Sequence, residues 1–198
     1  MEFEFICGMS EGPRRTARLA AWVQGLYPDA ALAPVLVGGA AVELYSGGAY
    51  VTGDLDFVGE VPGPVASRLR SEGFRKQGRH WVHESAQIFL EFPSSVLAPG
   101  FEPATIKAGP VNVLTVRPED LVLDRLRSLV FWKHREDGMN AFRVIWAQRS
   151  VIDRNRLVRG AVEEEVRAAL LPLLHLVPVK GRRPSPVQVR RWLYEVAP

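Results

Sequence analysis

Residues 35–58, VLVGGAAVELYSGGAYVTGDLDFV, decide how the rest of the chain is read. The apolar run Val35-Leu36-Val37 reads as a buried strand. It breaks at Gly38-Gly39 and continues as Ala40-Ala41-Val42-Glu43-Leu44-Tyr45, one or two turns of helix. A second glycine pair, Gly47-Gly48, closes that helix. Residues 50–58 then read as a second strand, with Asp54 and Asp56 on either side of Leu55. Successive strand side chains alternate faces, so the two carboxylates share one face while Leu55 and Phe57 take the other. Two anions held side by side cost energy unless a cation lies between them.

A third carboxylate lies further along. In residues 85–92 the alternation puts Ile88 and Leu90 on one face and Gln87, Phe89 and Glu91 on the other. A strand here beside the Asp54 strand brings Glu91 to the same acidic face. Three carboxylates are enough to hold a pair of divalent ions about 3.5–4 Å apart. Hard oxygen ligands favour Mg2+ or Mn2+ over zinc. The glycine pair suits a polyphosphate, because a turn without side chains lets backbone N–H groups approach phosphate oxygens. The helix that starts there presents its positive end to the same anion.

On these residues the chain resembles the nucleotidyltransferase superfamily, which includes the minimal and toxin-type bacterial members. The family's mark is a Gly-Gly or Gly-Ser pair after a strand, a short helix, hydrophobic-Asp-x-Asp-hydrophobic, and a third carboxylate on a later strand. Gly38-Gly39, Asp54-Leu55-Asp56 and Glu91 stand in those places. The resemblance covers mainly residues 35–116. It implies an α+β fold, in which residues 1–116 form a mixed β-sheet core with flanking helices and residues 117–198 a C-terminal helical region packed on it. It implies transfer of a nucleoside monophosphate from an NTP to a hydroxyl acceptor, with release of pyrophosphate. Asp54 and Asp56 would hold Mg2+ (or Mn2+), with Glu91 as third ligand or general base. Gly38, Gly39 and Thr52 would meet the nucleotide, and Arg125 or Lys133, early in the helical region, would reach its phosphates. Many members carry serine as the second residue of the pair, where this chain has Gly39.

Composition leaves the acceptor open among an RNA 3′ end, a protein side chain and a small molecule. The formal charge of +3 and the pI near 9.3 permit contact with a polyanion without requiring it. Basic residues gather in 68–79, 117–135, 180–183 and at Arg190-Arg191, which tilts the reading toward RNA. Two other functions fit the same sequence: a non-catalytic nucleotide- or partner-binding module of this fold, antitoxin-like or regulatory, and a nucleic-acid-binding accessory protein acting through Arg182-Arg183 and Arg190-Arg191. The single cysteine, Cys7, excludes an internal disulfide, and no apolar run approaches the ~20 residues of a membrane span, so a cytoplasmic protein is expected. The 198 residues, 47% hydrophobic and 24% charged, suffice for a real core.

Helical spacing of Ala17, Leu19, Ala20, Trp22 and Val23 predicts a helix over 13–27, ended by Pro28. Residues 1–5 alternate weakly, as an edge strand or a tail would. A basic helix is expected over 65–72, strands within 74–92, and two further strands over 104–108 and 111–116. Beyond them helices are expected from 117, over 138–149, over 156–174 as one element with Glu163-Glu164-Glu165 on a solvated face, and over 187–196 docked by Trp192. His80 and His83 fall on opposite faces of a strand, and Trp81 reads as core or as a base-stacking surface.

Overall fold

The computed structural model describes residues 2–198. They divide into two compact units, 2–116 and 117–198. The first holds a mixed seven-stranded sheet built from β1 (Val35–Val37), β2 (Asp54–Val58), β3 (Arg75–Gln77), β4 (His80–His83), β5 (Ile88–Ser94), β6 (Pro103–Ala108) and β7 (Val111–Val116). Its order is β3-β4-β5-β2-β1-β7-β6. β1 with β7 and β2 with β5 run parallel, while the remaining neighbours are antiparallel. The fold class is α+β.

Four helices accompany this sheet among the described residues: α1 (Glu2–Cys7), α2 (Pro13–Gly25), α3 (Gly38–Ser46) and α4 (Gly63–Ser71). Proline stands in the first turn of α2, where its missing N–H costs nothing. The apolar face of α2 buries Leu19, Trp22 and Val23 in a core shared with Leu36, Leu55, Phe57, Ile88 and Leu90 of the sheet. Gln24 on the same helix docks it by backbone mimicry. Its amide nitrogen donates to Leu114 O (2.6 Å) and to Pro34 O (2.9 Å), and its carbonyl accepts from Leu114 N (3.0 Å). Gly47, in the left-handed region at φ 65°, ends α3.

Three expectations change. Residues 1–5 were expected as an edge strand or a tail; Met1 lies outside the described residues, and Glu2–Cys7 is a helix. A strand would put Phe3 and Phe5 on one face. The helix buries Phe3 with Ile6, three residues on, against Trp22 (ring centroids 4.4 Å apart) and leaves Phe5 under the Arg18 guanidinium. The second strand is shorter than 50–58: β1 pairs with it only from Val58 back to Asp56 and β5 only back to Asp54, so it begins at Asp54, and residues 47–53 form a loop. The expected single helix over 156–174 is two: α7 (Arg154–Glu163) and α8 (Arg167–Leu176). Glu165 turns the chain at φ 57°, and Val166 N donates back to Ala161 O (2.9 Å). The break lets Leu157 and Ala161 of α7 and Leu170 and Leu173 of α8 all be buried. Of the expected solvated acids, Glu164 pairs with Arg127 (2.6 Å).

The second unit is helical throughout, with α5 (Pro118–Trp132), α6 (Arg135–Gln148), α7, α8 and α9 (Pro186–Val196). The acids in the first turn of α5 suit the helix dipole and also tie helices together. Glu119 accepts from Asp153 N (2.7 Å), and Asp120 takes the Arg156 guanidinium on both oxygens (3.1 and 3.2 Å). Ser185 and Gln188 cap the start of α9 reciprocally, and Trp192 docks that helix by donating to Ala169 O (3.1 Å). Among the described residues no helix is long and apolar enough to cross a membrane.

Candidate active site

The site is built where β1 hands over to α3 and where β2 lies beside β5. Parallel pairing sets Asp54 opposite Phe89 and Asp56 opposite Glu91. The register therefore carries all three acids to one face, while Leu55, Ile88 and Leu90 go to the core on the other. One carboxylate oxygen from each of Asp54, Asp56 and Glu91 lies within 4.8 Å of the others. Three acids so close repel one another, and a cation among them relieves that repulsion.

The glycine turn is fitted to the acids. Gly38 opens α3 at φ 63°, and a Cβ there would overlap the Asp56 carboxylate. A Cβ on Gly39 would lie 2.7 Å from Thr52 Oγ1 and 3.4 Å from the Tyr50 ring. A serine in that place would have to displace Thr52, which accounts for the second glycine. Val37, the residue before α3, offers no side-chain cap, so the first N–H groups of the helix are left for another acceptor.

Thr52 has a definite task in the geometry: its hydroxyl donates to Asp54 Oδ1 (2.8 Å). Behind it stands Glu43, fully buried on α3. Glu43 Oε2 accepts from Thr52 N (3.3 Å) and from Thr16 Oγ1 (3.1 Å), and its Oε1 is buried with no hydrogen-bond partner among the described residues. Burial raises the Glu43 pKa, outweighing the two donors that favour the anion. The folded chain thus holds this proton more tightly than the unfolded chain. The associated stability is fully present below the ordinary carboxylate value of about 4.3 and is lost as pH rises through the raised value. In denaturant titrations across pH 4–8, Glu43→Gln is expected to gain stability relative to wild type as pH rises. A difference that stays flat with pH would contradict a raised Glu43 pKa.

Glu91 is already engaged. Arg79 Nε lies 2.6 Å from one of its oxygens and His80 Nδ1 3.7 Å from the other. His83 points the opposite way, edge-on to Phe3 and Phe74. Trp81 is core, 1% exposed, with Arg70 and Lys76 over its ring. The first unit therefore brings together Asp54, Asp56, Glu91, Gly38, Gly39 and Thr52. Arg125 and Lys133 belong to the second unit. Arg125 pairs with Asp137 (2.8 Å) and Asp124 (3.1 Å), and Lys133 ends α5 in the left-handed region at φ 59°. Sequence reasoning passed over Glu43 and Arg79. An acid inside the apolar helix Ala40-Ala41-Val42-Glu43-Leu44-Tyr45 was the available sign of the first. Arg79 stood unmarked in a basic run.

Among solved structures the chain is similar to the crystal structure of an antigenic nucleotidyltransferase-like protein from Paracoccidioides brasiliensis. The TM-score is 0.58 at 17% identity, covering 87% of this chain and 95% of that one. No protein-family model matches the chain, and no curated protein is significantly similar to it. At that identity the likeness establishes the fold, which is nucleotidyltransferase-like.

Proposed function

We propose that the chain transfers a nucleoside monophosphate from an NTP to a hydroxyl acceptor and releases pyrophosphate. The observation that carries this reading is the convergence of three carboxylates beside an uncapped, glycine-opened helix start. The donor set is all oxygen and all anionic, which fits Mg2+ or Mn2+. Asp54, Asp56 and Glu91 would hold the metal, which when bound supplies electrostatic stabilisation of the charge that develops on the phosphates.

The chain's own groups do the rest. Thr52 fixes one oxygen of Asp54, so that this carboxylate presents the other. The first N–H groups of α3 receive phosphate oxygens, aided by the positive end of the helix. The acceptor oxygen attacks the α-phosphorus, and the bond to the β-phosphate bridging oxygen breaks as pyrophosphate leaves. The acceptor's proton passes to a carboxylate oxygen of the cluster. The basic run at 180–183 favours RNA as acceptor, and a cytoplasmic setting agrees with the lone cysteine.

Incubation with α-labelled NTPs, Mg2+ or Mn2+ and a cell extract is expected to move label onto an acceptor, and EDTA to abolish the transfer. The ion pair between Arg79 and Glu91 favours a second reading, a nucleotide-binding module without turnover, since it occupies one of the three acids. Nucleotide binding that survives with no label transferred under any metal would select that reading.

A further inference from the structure

The basic run that includes Arg79 is mostly spoken for by local partners. Arg68 pairs with Glu72 (2.6 Å), Arg75 with Glu84 (3.1 Å), and Arg70 and Lys76 lie over Trp81. Arg79 differs, because it reaches into the acidic cluster. Its Nε lies 2.6 Å from Glu91, whose side chain is only 15% exposed, while its own is 63% exposed. The Arg79 carbonyl accepts from Phe92 N (3.2 Å), which ties its main chain to β5, while the side chain lies toward solvent.

We infer that Arg79 is a triphosphate-binding residue of this site, held on Glu91 until a divalent cation takes that carboxylate and then turned to the phosphates. The inference rests on the nucleotidyltransferase reading above. A guanidinium and a divalent ion that share Glu91 repel each other, so each weakens the other's hold. An arriving triphosphate offers the displaced Arg79 new acceptors in a geometry that its planar fork matches. The Arg79 side chain is 63% exposed, so the pair is open to solvent on that side, and Arg79→Gln is expected to fold as the wild type does, which thermal unfolding checks.

Calorimetric titration of the full chain with Mn2+ alone, and then with ATP, GTP, CTP and UTP in turn at saturating Mn2+, separates these roles. Arg79→Gln is expected to bind Mn2+ about threefold to tenfold more tightly, because its competitor for Glu91 is gone. It is expected to bind the preferred NTP about tenfold more weakly. Arg79→Lys keeps the charge and should hold Mn2+ affinity near that of wild type. A purely structural role would move both affinities the same way. Arg79→Gln binding Mn2+ no tighter, or NTP no weaker, overturns the inference while leaving the metal site standing. Failure of the wild-type chain to bind Mn2+, or binding indifferent to Asp54→Asn, strikes instead at the metal reading on which it rests.

Discussion

Asp56→Ala is expected to lower label transfer by about a thousandfold or more, equivalent to roughly 4 kcal/mol of transition-state stabilisation. Of the three acids, Asp56 has the most central position. Its strand neighbours are Val37 on β1, the residue before the glycine turn, and Glu91 on β5. Its carboxylate fills the space that a Cβ on Gly38 would need. Asp56 is thus the residue that faces both the glycine turn and the third acid. The same substitution opens no core cavity, since Asp56 is on the face opposite Leu55 and Phe57. Thermal unfolding should therefore show a cooperative transition from an intact fold. Loss of transfer in a protein that still folds cooperatively is the expected signature. Equal labelling by Asp56→Ala and wild type would remove the enzymatic reading.

The parts of the site that follow from one-dimensional rules were legible in the sequence. Strand alternation placed Asp54 with Asp56, and Glu91 opposite Ile88 and Leu90, and the structure keeps that assignment because each strand has one face in the core. The glycine pairs marked the start and the end of α3, since left-handed or side-chain-free backbone is needed at both. What was not legible depends on contacts distant in the chain. Nothing near Arg79 in sequence shows that it meets Glu91, twelve residues on and across a hairpin. Nothing near Glu43 shows that Thr16 and Thr52 supply its donors. The split between α7 and α8 was hidden for another reason. It turns at Glu165, a residue that rarely takes a positive φ, with neither glycine nor proline to mark it. The helix at the N-terminus is ambiguous in the sequence because alternation in so short a stretch satisfies two periods, and burial of Phe3 with Ile6 decides between them.

Two glycines with nearly the same backbone separate the chemistry of the turn from its conformation. Gly38 has φ 63° and Gly47 φ 65°, at opposite ends of α3. Alanine at either must adopt the left-handed region at a cost of about 1–2 kcal/mol. Around Gly47 a new Cβ would meet nothing within 4 Å, whereas at Gly38 it would collide with the Asp56 carboxylate. Gly47→Ala is therefore expected to lower stability by about that amount and to transfer nucleotide normally. Gly38→Ala should pay the same conformational cost and also push Asp56 out of the acidic cluster. Because displacement of a reacting group by about 1 Å can cost 10²-fold, transfer should fall by roughly that factor, with Mn2+ binding weakened in parallel. Denaturant melts, Mn2+ titration and label transfer on the pair give the comparison. Gly38→Ala that transfers as well as Gly47→Ala would mean that the glycine at the head of α3 serves only the bend of the chain and not the placement of Asp56.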